Sequence, residues 1–204
     1  MQQPPEELPG FQPDHGDVVL DVRSLKGLAH PIRLRLRSEL ASRGPATATQ
    51  LAARIGETSA STSYHLRKLA AHGFIAEDDT LGNGRDRYWR ALHRTVWQQE
   101  PSGHAEQELS AEFVRAAAQV YADRIVRFAD EVEAAPQVLG EQWARSWDIS
   151  DWGLDLTPEE ARQLALAFHR LCAPYHHEAG QQRPGSRLVR VQFQVLPSPD
   201  ESLP

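Results

Sequence analysis

The stretch Thr47 to Gly73, TATQLAARIGETSASTSYHLRKLAAHG, restricts the fold more than any other part of the chain. Gln50 to Ile55 read as one short helix, with Leu51 and Ile55 a turn apart on one face. Gly56 supplies the left-handed residue that a tight turn needs. Thr58 or Ser59 offers an N-cap hydroxyl for a second helix. In that helix Thr62, Leu66 and Leu69 share a face at i, i+4, i+7, and Ser59, Ser63, Tyr64 and Arg67 occupy the opposite one. Small, polar and cationic side chains of this kind can enter a DNA major groove. A helical hairpin with a solvated outer face would produce the same pattern, so the flanking sequence has to decide.

Charge is distributed unevenly around this stretch. The net charge is -6, yet residues 1–22 hold five acids and no Lys or Arg. Residues 23–97 hold 13 basic and 6 acidic side chains, and residues 98–204 hold 9 and 17. A basic block between acidic flanks can attract phosphates although the whole chain is acidic.

Upstream, Asp21 to Ala29 read as a first helix with Val22, Leu25 and Leu28 on one face. His30-Pro31 interrupts it, and Pro31 suits the first position of the next helix. That helix, IRLRLRSELASRG, turns Ile32, Leu36 and Leu40 inward and ends at Gly44-Pro45. Arg33 and Arg37 line one outer face and Arg35 another; at least one is expected to touch phosphate. Downstream, Phe74 to Glu77 and Arg87 to Leu92 read as two strands joined through Leu81-Gly82-Asn83-Gly84-Arg85. This hairpin carries Arg85 and Arg87 near its tip, within reach of a minor groove or backbone. Trp89 reads as a packing residue.

The motifs L-A-H-P-I-R-L-R-L, L-A-A-R-I-G, S-T-S-Y-H-L-R-K-L, H-G-F-I and G-R-D-R-Y-W-R-A-L, in this order, resemble the winged helix-turn-helix of ArsR/SmtB-type bacterial transcriptional regulators. The resemblance covers about residues 21–97. It implies a homodimer that places the helix from Ser59 to His72 in the major groove of double-stranded DNA. It implies DNA contact at Ser59, Ala60, Ser63 and Tyr64, with wing contact at Arg85 and Arg87; Arg67, Arg33 and Arg37 complete the candidate set. Ala60 departs from the polar residue expected at its position. His65 matches a position often held by His in the family, and a structural role is expected for it here.

Beyond a polar link at 98–103, Glu106 to Ala134 read as a long helix. Leu109, Phe113, Ala117, Tyr121, Ile125, Phe128 and Val132 form its apolar stripe, facing either a partner subunit or the chain's own core. Trp143, Trp147 and Trp152 follow and are expected in a C-terminal core, with an effector pocket as the alternative. Thr157, Pro158 and Glu160 form a capped helix start. Leu164, Phe168, Leu171 and Tyr175 are expected inward. Arg187 to Val195 alternate with period two and read as a strand.

The expected fold class is α+β. A disordered tail (1–16) precedes a winged helix-turn-helix domain (17–97). Residues 98–204 form a helical dimerisation and small α/β region that could take a small-molecule effector. His169, Cys172 and His176 are weak metal candidates, and no cofactor is expected. The chain has no Gly-rich phosphate loop, no G-x-S-x-G and no H-E-x-x-H, so it is not expected to be an enzyme. It has one cysteine, no membrane-length apolar run and no signal-peptide pattern, so a cytoplasmic protein is expected. The expected function is a repressor on an inverted-repeat operator. The alternative is an interaction or small-molecule-binding module whose winged helix no longer binds DNA.

Overall fold

The computed structural model describes residues 17–20, 22–81, 86–93, 95–98, 104–177 and 183–198. The tail at 1–16, Arg85 with the rest of the hairpin tip, and most of the link at 98–103 lie outside them. In chain order come strand β1 (Asp17–Leu20), helices α1 (Val22–Leu28) and α2 (Pro31–Arg43), and strand β2 (Ala46–Thr47). Helices α3 (Ala48–Ile55) and α4 (Ser59–Ala71) follow, then strands β3 (Ile75–Glu77), β4 (Tyr88–Ala91) and β5 (Thr95–Gln98). Helix α5 (His104–Glu131) leads to α6 (Ala135–Leu139), α7 (Glu141–Ala144) and α8 (Pro158–Cys172). The fold class is α+β, as expected.

Local chemistry explains most of these boundaries. His30 caps α2: its Nδ1 accepts from the Ile32 N–H at 3.2 Å, and Pro31 fills a position whose N–H would have no partner. Thr47 and Gln50 form a reciprocal capping box on α3, at 3.2 and 2.9 Å. Gly56, at φ 73°, ends α3 in the left-handed region. Thr58 then caps α4 by accepting from the Ser61 N–H.

Strands β2, β4 and β3 form an antiparallel sheet in that order. Its hairpin closes through the Asp78 N–H donating to the Tyr88 carbonyl at 2.8 Å. Strands β1 and β5 make a separate parallel pair, Asp17 beside Thr95 through Leu20 beside Gln98. Periodicity did not foretell this pair.

One core ties α1 to α5 and the β2-β4-β3 sheet together. Leu25, Leu28, Leu36, Leu40, Leu51, Leu66, Leu69, Phe74, Ile75 and Trp89 are buried in it, and Leu109 and Phe113 of α5 pack against it. Each such side chain contributes roughly 1.5–3 kcal/mol of burial. Gly27 is required where α1 crosses this core, since a Cβ there would lie 2.6 Å from His72 Cγ and 2.8 Å from Phe74 Cε2.

The apolar stripe of α5 divides. Its first half lies against α1 and α2 of the same chain, with Ala116 and Val120 buried. Arg35 pairs with Asp123, and Arg124 donates to Ser38 Oγ at 3.2 Å. Farther along, Ile125 and Val126 are exposed. The helix gives way at Val132 to a 3-10 turn ending at Ala134.

The C-terminal half departs from expectation in three ways. Trp147 is half exposed and Trp152 is 77% exposed, so neither builds a core; Trp147 meets Phe128 edge-on at 5.6 Å. Helix α8 has the expected Thr157–Glu160 capping box but buries no residue, and Leu171 and Tyr175 point outward. Residues 187–195 form no strand, so the expected α/β region is helical with an irregular end. The physical reason is common to all three. Amphipathic segments need a second surface, and the described residues supply only isolated contacts there, such as Phe128 on Trp147 and Phe168 on Phe193.

Candidate nucleic-acid interface

The buried side of α4 fixes its exposed side. Thr62, Leu66 and Leu69 have no solvent exposure, so the helix cannot rotate without opening the core. Ser59, Ala60, Tyr64, Arg67 and Lys68 face outward, and Ser63 is half-buried. Tyr64 is 51% exposed, with Lys68 Nζ 5.8 Å from its ring centre. The Arg67 Nε donates to the Ser63 carbonyl at 3.2 Å, which lays the guanidinium along the helix.

His65 seats this helix on α2. Its ring lies 4.5 Å from that of His30, the α2 cap, and Tyr64 meets it edge-on at 5.1 Å. Burial first, then the charges of His30 and Arg33, hold the His65 imidazolium below its ordinary pKa, while Glu57 pulls the other way. Burial, then Arg33, lowers His30 likewise against Glu57. Two adjacent rings beside a guanidinium therefore favour the neutral form. Such a pair suits packing, and among the described residues the His65 Nδ1 has no hydrogen-bond partner.

The wing stands beside α4. Arg87 pairs with Glu77 across the hairpin at 3.0 Å and lies 6.0 Å from the centre of the Trp89 ring. Trp89 is buried, as expected of a packing residue. A cleft of about 380 Å³ runs between the two elements, lined by Thr47, Ala48, Thr49, Ser63, Arg67, Asp86, Arg87 and Trp89. It combines two guanidiniums, one of them paired with Glu77, with hydroxyls, the first turn of α3 and the carboxylate of Asp86; phosphate oxygens accept from the donors among these. Thr47, Thr49 and Lys68 were missed from sequence. The only available signal was the cap position of Thr47, which says nothing about facing the wing.

The α2 arginines are placed differently from the cleft pair. Arg33 donates to the carbonyls of Gly27 (2.6 Å) and Lys26 (2.9 Å), satisfying the C-terminal end of α1. Arg37 donates to the His93 carbonyl at 2.9 Å, tying the chain after β4 to α2. Each thus has a bond that holds the domain together.

Other candidates do not assemble into a site. Among the described residues no three His, Cys, Asp or Glu side chains are grouped to hold a metal, so His169, Cys172 and His176 do not form one. Among them, too, no helix is long and apolar enough to cross a membrane.

Comparison with protein families matches residues 28–78, about a quarter of the chain, to the model described as a helix-turn-helix domain. No curated protein matches the chain. The matched span runs from the end of α1 through α4 to β3, and the return strand of the wing lies beyond it. The chain thus carries a helix-turn-helix domain with a wing, the architecture of a DNA-binding regulator.

Proposed function

We propose that this chain is a sequence-specific transcriptional regulator of the ArsR/SmtB type. It acts in the cytoplasm as a homodimer and represses by occupying an inverted-repeat operator. Residues 17–97 read DNA, and residues 98–204 carry dimerisation and any effector response. No catalytic role is assigned.

The observation that carries this reading is the pairing of a rigidly seated helix with a cleft that holds two arginines. Helix α4 presents Tyr64 and Ser59 outward, with Ser63 half-buried between them, from three fully buried anchors, and Arg67 and Arg87 flank it. The seated face reads base edges, and the flanking guanidiniums bind phosphates and set the register. Arg85 adds to the wing in this reading. Ala60 and the short serines leave few side chains long enough for bases, so DNA shape carries part of the specificity.

The test is a fluorescence titration of the full chain against duplexes selected from a random pool and against random duplex. Tyr64→Ala is expected to weaken binding to the selected site by about 1–3 kcal/mol and to leave random duplex little affected. Equal losses on both would remove Tyr64 from base readout. Failure of the unmodified chain to bind any duplex at low salt would favour the alternative, an interaction module, which draws on the exposed aromatic residues of the C-terminal half.

A further inference from the structure

The segment Leu188–Val195 is patterned like a strand in sequence and, among the described residues, pairs with none. Its sequence, LVRVQFQV, alternates with period two. Its burial alternates over Val189–Phe193, where Arg190 and Gln192 are half-buried and Val189, Val191 and Phe193 are exposed; Leu188 and Gln194 are exposed and Val195 is half-buried. Among the described residues, none of its backbone N–H or C=O groups meets a backbone partner. Yet the segment is anchored. Arg190 donates to Ser38 Oγ at 2.7 Å and to Glu39 Oε1 at 2.8 Å, and Gln192 donates to the Tyr121 carbonyl at 3.4 Å. Phe193 stacks on Phe168 of α8 at 4.0 Å. An anchored, strand-patterned segment with its backbone groups unused is a template for another strand.

We infer that Leu188–Val195 pairs antiparallel with the same segment of a second copy of this chain. This rests on the homodimer of the preceding reading and names its seam. Three observations favour a second copy over an unlike partner. The first is register. With a two-fold axis at Val191, Val189 lies opposite Phe193 of the other copy, Val191 opposite Val191, and Arg190 opposite Gln192. No like charges meet, and β-branched and aromatic side chains pair on the exposed face. The second is closure, because an antiparallel pair of identical segments is isologous and ends at two copies. The third is area. Leu171, Tyr175, Val189, Val191, Phe193 and Leu196 are all more than a third exposed. At 150–250 Å² for a fully exposed large side chain, they offer roughly 700 Å², close to the ~800 Å² per partner of a standard interface.

Sedimentation equilibrium of the full chain, without DNA, tests the seam. The unmodified chain is expected to be dimeric at micromolar concentration. Val191→Pro removes a ladder donor, and the double substitution Val189→Lys, Val191→Lys charges the exposed face. Each is expected to weaken the dimer about 100-fold or more, with an unchanged helical spectrum because both positions are exposed. In a Cys172→Ser background, Val191→Cys is expected to oxidise to a disulfide-linked dimer, since a hydrogen-bonded pair at Val191 sets the opposed Cα atoms about 5.5 Å apart. A monomer at about 100 µM would overturn the inference, as would Val191→Pro dimers as tight as the unmodified ones. A dimer in which Val191→Cys fails to cross-link would do the same. A chain that dimerises through this seam and binds no duplex keeps the inference and ends the DNA reading.

Discussion

His30 and His65 make the residue scale accountable to pH. Both imidazoliums are held below the ordinary value of 6.5, so the unfolded chain takes up protons before the folded one does. The stability that the neutral rings contribute is complete above that value and is lost as pH falls through the window below it. Urea unfolding over roughly pH 5–7.5 is expected to show stability falling with acidity, and His65→Gln is expected to flatten that slope. Parallel slopes for the two proteins would remove His65 from the effect. The arginines show how far single residues could be read in advance. Arg67 and Arg87 line the cleft between α4 and the wing, and Arg33 and Arg37 are bonded to carbonyls. Those acceptors lie six residues upstream and 56 downstream, and the second of these separations leaves no trace in local pattern.

At the scale of elements, helices whose ends carry their own chemistry were the most legible. His30-Pro31, Gly56, Thr58 and Thr157 set boundaries through bonds within four residues, so sequence order contains the whole interaction. The parallel pair of β1 and β5 joins segments nearly 80 residues apart and was not read. Residues 187–195 show the converse: an alternating pattern states a preference, and a strand still needs a neighbour to hydrogen-bond. Thr47 tests the value of a cap. Thr47→Ala removes one side of the α3 box and is expected to cost about 0.5–2 kcal/mol, read from the urea midpoint at constant m. No change in midpoint would mean that solvent replaces the cap fully.

Across the whole molecule, charge is segregated, and the net value of -6 conceals it. Binding through the basic block should release counterions, so affinity should fall steeply with salt. Arg67→Ala is expected to lower affinity on every duplex and to reduce the slope of log K against log salt by about 1. An unaltered slope would show that Arg67 meets no phosphate. Stability is segregated as well. The large buried side chains lie mainly in the helix-turn-helix half, and α8 buries none.

Arg190 spans that division. It bonds Ser38 and Glu39 on α2, the helix against which α4 also packs. Burial, then the like charge of Arg124, works against its charge, and Glu39 offsets part of that. Reciprocity follows for any two ligands whose binding depends on where α2 sits. If DNA at α4 tightens whatever engages residues 188–195 by some factor, that engagement must tighten DNA by the same factor.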